Sequence, residues 1–144
     1  MRAIAAGKSV SFVAPHDVLN DFAYVADIHR AVISLLDAPD DAFGQAWHVP
    51  CAPTETVRAI TRRAARAFGK PLKTTVVPLW SLPPLGVFVP FLEEMAEMRF
   101  QWDRPYRVDA SRFANRFWGD ASSFDDGTRA TVEAHLESAT MTVD

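Results

Sequence analysis

Asp21-Phe22-Ala23-Tyr24-Val25-Ala26-Asp27-Ile28-His29-Arg30-Ala31-Val32-Ile33-Ser34-Leu35-Leu36 is the stretch on which the reading of this chain turns. From Asp27 onward, Ile28, Ala31, Val32, Leu35 and Leu36 recur at the three-and-four spacing that gathers side chains on one side of an α-helix. Asp27 is placed to cap the free N–H groups of the first turn. Pro39 ends the run, because it lacks the N–H that the next helical bond needs. The sequence therefore predicts a helix over 27–36.

Strand-like and helical pieces alternate on either side of it. Upstream, Val10, Phe12 and Ala14 alternate with Ser9, Ser11 and Val13 ahead of Pro15, which predicts a short strand. Downstream, after the turn residues Asp40, Asp41 and Gly44, the aromatic and β-branched segment Ala46-Trp47-His48-Val49 predicts a buried strand closed by Pro50. Thr54 is placed to cap a second helix with Glu55 near its positive end. Val57, Ile60, Ala64, Ala65 and Phe68 form the inner face of that helix, and Gly69 and Pro71 stop it. Lys73 to Leu79, rich in Thr and Val, predicts a further strand, giving a βαβ-like rhythm.

Phe91, Met95 and Met98 with Glu93, Glu94 and Glu97 predict an amphipathic helix that Pro90 begins. Arg107-Val108-Asp109 predicts an extended piece before a turn-and-helix region at Ser111 to Phe117. In the last helix Ser123 is the cap, Asp126 completes a capping box with a shorter acid, and Val132 and Leu136 belong to the apolar face. The expectation is an α/β (α+β) fold with short strands and about four helices.

At 144 residues the chain is long enough for a single domain, 1–144, and too short for a cofactor domain plus a substrate domain. Its 49% hydrophobic and 23% charged content is that of a globular protein. A net charge of -3 gives no reason to expect nucleic acid as a partner. Cys51 is the lone cysteine, so no internal disulfide forms and a reducing, cytoplasmic setting is expected. The apolar run from Val76 to Leu92 is broken by Pro78, Pro83, Pro84 and Pro90 and falls short of the roughly 20 residues of a membrane-crossing helix, so no membrane span is expected.

The segment Asp21 to Ile28, opening a helix, resembles the part of extended short-chain dehydrogenase/reductase proteins, of the NAD-dependent epimerase/dehydratase type, that follows their substrate-binding loop. Gly44 before Trp47-His48-Val49-Pro50 is similar to that family's next strand, and Thr54 to Pro71 to its next helix and turn. Arg104-Pro105-Tyr106-Arg107-Val108-Asp109 followed by Ser111-Arg112-Phe113 resembles its late segment. The resemblance covers nearly the whole chain, and the order of the pieces is more specific than any one of them.

It implies a small substrate-binding-type domain, with no complete Rossmann domain, that normally packs against a Rossmann domain encoded earlier in the same polypeptide. The companion would be a missing N-terminal half or a domain supplied in trans, and would bind NAD or NADP. The substrate implied is a nucleotide sugar or similar alcohol, with Asp21, Tyr24, Arg104 and Tyr106 facing the ligand cleft.

The chain departs from that family where the chemistry resides. No two of Gly7, Gly44, Gly69, Gly86, Gly119 and Gly127 have the close spacing that lets backbone approach a pyrophosphate. A catalytic tyrosine needs a lysine four residues on to lower its phenol pKa, yet Tyr24 is followed there by Ile28 and Tyr106 by Ala110. No catalytic residue is therefore assigned, and no cofactor is expected to bind this chain alone.

Other constellations are weaker. His16-Asp17 and Asp27 with His29 lack a recognised metal-ligand spacing, so no metal is expected. His48 reads as a satisfied core histidine and Cys51 beside it as an unreactive thiol. Arg58, Arg62, Arg63 and Arg66 read as a solvated helix face, as do Glu93, Glu94 and Glu97. The apolar Trp80–Leu92 segment, with Trp80, Leu85, Phe88 and Phe91, suggests an interface. That supports an alternative reading as a homodimeric, non-enzymatic interaction module. A third reading, an independent small-molecule enzyme, would rest on Asp21, His16 or Glu97.

Overall fold

The computed structural model describes residues 1–12, 15–78, 80 and 103–141. Among them the chain forms α1 (Arg2–Ala5), β1 (Val10–Phe12), β2 (Leu19–Asn20), α2 (Val25–Leu36), a 3-10 turn (Asp40–Ala42), β3 (Glu55–Thr56), α3 (Val57–Ala67), β4 (Thr74–Val76), α4 (Ser111–Arg116) and α5 (Phe124–Met141). This is the α/β class expected from the sequence, with α1 an additional short helix. The predicted Phe91–Met98 helix lies outside the described residues.

The strands make two small sheets and no closed one among the described residues. β1 pairs in parallel with β4, Val10 opposite Thr74 and Phe12 opposite Val76. β2 pairs antiparallel with β3, Leu19 opposite Thr56 and Asn20 opposite Glu55. The second sheet is absent from the sequence reading because two-residue strands carry no periodicity.

α3 is the centre of the packing. Its Ala64 and Ala65 are buried with Ile4 of α1, and Val10, Phe68 and Leu72 close over them. α3 against α5 is the most extensive helix contact of the described chain, with Arg63 paired to Asp125 and over the Phe124 ring and Phe68 edge to face with His135. Thr56, two residues after the expected Thr54, is the N-cap, its hydroxyl accepting from the Ala59 amide at 3.1 Å. Gly69 leaves the helix at φ +62°, a left-handed conformation that suits glycine. The basic stripe is partly tied down: Arg58 pairs with Asp17, and Arg63 with Glu55 and Asp125.

A second cluster is aromatic. Phe113 of α4 is fully buried, with Trp47, Phe117 and Trp118 around it at centroid distances of 4.8 to 6.1 Å. Arg112 and Arg116 lie over the Trp47 ring and Arg30 over Trp118, so cation–π contacts seal the outside of the cluster.

Three local expectations are corrected. α2 begins at Val25, with Tyr24 in the N-cap position and no side-chain cap; Asp27 sits in the first turn and is buried instead. Ala46-Trp47-His48-Val49 forms no strand, pairing with none of the strands among the described residues, and His48 is exposed there with Nδ1 against the Asp109 carbonyl at 3.1 Å. Leu136 of α5 is exposed, while Val132 is buried as expected.

The N-terminus of α5 follows the sequence reading closely. Ser123 Oγ accepts from the Asp126 amide at 3.1 Å and donates to the Asp126 carboxylate at 2.6 Å. Gly127, inside this helix, lies where an added Cβ would meet the Tyr24 ring at 3.2 Å, so the helix buys that close approach with its glycine.

Two outcomes are expected from these contacts. Phe113→Ala, which empties the centre of the aromatic cluster, lowers the unfolding free energy by about 3 kcal/mol or more in urea titration. The hydrogen bond from Ser123, and then Arg129, holds the Asp126 carboxyl below its usual 3.8. A folded-state value below the unfolded one means that this contribution is complete above 3.8 and disappears as pH falls through the folded value. Asp126→Asn should therefore flatten the acid limb of melting temperature against pH.

Candidate functional site

Asp21 lies just past β2, where three distant segments meet. One of its carboxylate oxygens accepts from Thr54 Oγ1 at 2.7 Å and the other from the Val108 amide at 2.7 Å. Its own amide donates to the Tyr106 carbonyl at 3.0 Å. Asn20 adds to this clamp, its Oδ1 accepting from the Tyr106 amide at 3.0 Å, and Asn20 and Tyr106 form an isolated parallel bridge. Both oxygens of Asp21 are thus occupied by the chain itself, which makes it a residue that positions 106–108.

The four residues singled out from the sequence divide into two places. Asp21, Arg104 and Tyr106 share the edge formed by β2 and the 103–108 segment. Tyr106 is 59% exposed. Arg104 is also exposed, and its guanidinium is held by Asp103 through Nε at 2.7 Å and a second nitrogen at 3.3 Å. That carboxylate raises the Arg104 pKa, so the group stays cationic.

Tyr24 faces elsewhere. With Phe22, Ala52, Ile60, Phe124 and Thr131 it lines an apolar cavity of about 180 Å³ between the 22–24 segment, α3 and the start of α5. The Phe22 and Phe124 rings meet there edge to face at 6.4 Å. Three of the hydroxyls that line it are committed: Ser122 to Asp27, Ser123 to Asp126, and Thr131 to the Gly127 carbonyl.

Asp27 repeats the device of Asp21. Buried at 5% exposure, it accepts from the Ser122 amide at 2.8 Å and the Ser122 hydroxyl at 2.9 Å, which fixes the segment entering α5. Asn20 and Ser122 were missed in the sequence, and Thr54 was read as a helix cap, because their partners lie 33 to 95 residues away and leave no local pattern.

The remaining candidates carry no chemistry together. His16 is buried and stacked on Phe12 at 5.1 Å, while neighbouring Asp17 turns to Arg58. Cys51 Sγ donates to the Val49 carbonyl at 3.5 Å and not to His48. Burial, followed by the negative charges of Asp21 and Asp27, pushes its thiol above the usual 9.0. Among the described residues no group of three His, Cys, Asp or Glu is arranged to hold a metal ion, and no helix is long and apolar enough to cross a membrane. Trp80 is 78% exposed; Leu85, Phe88 and Phe91 lie outside the described residues.

No family model matches the chain, and no curated protein matches it. Solved structures do. The chain is similar to UDP-glucuronic acid 4-epimerase from Bacillus cereus in complex with NAD, at 13% identity and a TM-score of 0.65 over 92% of this chain and 35% of the epimerase. Against the same epimerase in complex with UDP-glucuronic acid and NAD the values are 14%, 0.67, 92% and 36%. The fold is therefore that of part of an epimerase, and the chain spans about a third of the length of the structures it matches.

Cys51 gives a direct check on the electrostatics of this region. Its thiol should alkylate with iodoacetamide more slowly at neutral pH than free cysteine, and Asp21→Asn, by removing a nearby negative charge, should speed it. Equal rates in the two proteins would remove Asp21 from the account of the thiol.

Proposed function

We propose that this chain is the substrate-side part of an NAD-dependent epimerase/dehydratase of the extended short-chain dehydrogenase/reductase type. It would hold a nucleotide sugar or similar alcohol against chemistry done by a dinucleotide-binding companion, either a missing N-terminal half or a domain in trans. The observation that carries this reading is the fold likeness, which takes in 92% of the chain and maps it onto one part of an epimerase. That epimerase was solved with UDP-glucuronic acid and NAD.

Within this reading Arg104 and Tyr106 are the ligand-facing pair. Arg104 carries a permanent charge and a planar fork of donors suited to a diphosphate, which would compete with Asp103 for it. Tyr106 offers an exposed ring on which a base can stack. Asp21 holds both in place through the Val108 and Tyr106 backbone, and Tyr24 lines the neighbouring cavity. NAD or NADP would bind the companion. The Tyr24/Ile28 and Tyr106/Ala110 spacings leave no lysine-activated phenol in the sequence, so hydride and proton transfer belong to the companion as well.

Calorimetric titration of the chain with UDP-glucuronic acid, UDP-glucose and NAD tests this. Binding of a UDP-sugar weakened about tenfold by Arg104→Ala is expected, a loss typical of one charge-assisted contact. No heat with either UDP-sugar, or heat indifferent to Arg104→Ala and Tyr106→Ala alike, would remove the ligand-binding role.

A further inference from the structure

Thr128 lies in the second turn of α5 at 8% exposure and lines the cavity between the 22–24 segment, α3 and the start of α5. A threonine inside a helix commonly settles its hydroxyl on the carbonyl four residues back. Thr61 does so with Val57 and Thr131 with Gly127, each at 2.6 Å. Thr128 makes no side-chain hydrogen bond among the described residues. The other serine and threonine hydroxyls that line the cavity are taken by Asp27, Asp126 and the Gly127 carbonyl. A hydroxyl withdrawn from bulk water without a partner is destabilising, so this one calls for a hydrogen-bonding group in the space beside it.

The remaining walls define the chemistry of that group's carrier. Phe22, Tyr24 and Phe124 bring three aromatic rings to the cavity, and Ile60 and Ala52 add aliphatic surface. Phe22 and Phe124 already meet edge to face at 6.4 Å, and a guest ring finds the same kind of contact there. No charged side chain lines the cavity, so a carboxylate or ammonium group would lose its hydration without compensation. Size sets the last limit. An apolar cavity of about 150 Å³ holds benzene, and the 180 Å³ available here suits one ring with a small substituent.

We infer that this cavity is a binding site for a small uncharged aromatic alcohol of the phenol class, its ring among Phe22, Tyr24 and Phe124 and its hydroxyl bonded to Thr128. The site is too small for a nucleotide sugar and lies apart from the Arg104 and Tyr106 edge, so it does not rest on the proposed function.

The test titrates the full chain with phenol, toluene, benzoate and 4-phenylphenol, following calorimetric heat and the amide resonances of 22–24 and 124–131. Phenol should bind saturably and shift those resonances. Toluene, the same ring without the hydroxyl, should bind about tenfold more weakly, the loss expected for one hydrogen bond. Charged benzoate and two-ring 4-phenylphenol should give no saturable binding. Thr128→Val keeps the shape and removes the hydroxyl; it should melt no lower than the wild type and hold phenol no better than toluene. Ala52→Leu and Ile60→Phe, two independent ways of filling the cavity, should abolish binding of both ligands. No saturable phenol binding, equal affinity for phenol and toluene in the wild type, or 4-phenylphenol held as tightly as phenol overturns the inference. So does phenol affinity unaltered by Thr128→Val, or retained in either filled variant at the wild-type melting temperature.

Discussion

The Asp21 carboxylate is the constraint on which the arrangement depends. One half-buried group takes a hydroxyl from residue 54 and a backbone amide from residue 108, so it joins the first, middle and last thirds of the described chain. A charged acceptor strengthens both bonds, and removing it would leave the Val108 amide without its partner. Six residues on, Asp27 does the same for the entry to α5. The stretch 21–27 thus acts as a hub, and acidic residues that could pass for catalytic groups are spent on holding the frame.

Around this hub the packing is economical. The largest fully buried side chain among the described residues is Phe113, and the cluster under α3 is built on Ile4 and two alanines. Arginines stacked on Trp47 and Trp118 close the aromatic cluster from outside, each with a hydrogen-bonding partner of its own. β4 is exposed along its whole length although it pairs in parallel, an arrangement usually found inside larger, covered sheets. The outward apolar stripe of α2 and the open β4 belong to a fold that matches one part of a longer protein.

The same hub sets the surroundings of the exposed 103–108 edge and of the one thiol. Arg104, held by Asp103, and the exposed Tyr106 sit at an edge fixed by Asn20 and Asp21. Burial, and then the two carboxylates of the hub, push the pKa of Cys51, the one thiol, upward.

The sequence alone determined the elements whose signals are local. The capped start of α5, the Gly69 exit of α3, the β1 and β4 strands and the helix after Tyr24 follow from caps, turn residues and periodicity within a few positions. By resemblance it grouped Asp21, Tyr24, Arg104 and Tyr106, of which Tyr24 lies apart, lining the cavity beside α5. Only the tertiary structure decided what each group does: that Asp27 anchors Ser122 and caps nothing, that Thr56 and not Thr54 caps α3, that 46–49 lacks a ladder and that α2 faces its apolar side outward. The reason is physical. A cap or a turn is satisfied by neighbours in sequence, whereas a buried carboxylate, a strand and an apolar face are satisfied by partners tens of residues away, or on another polypeptide altogether.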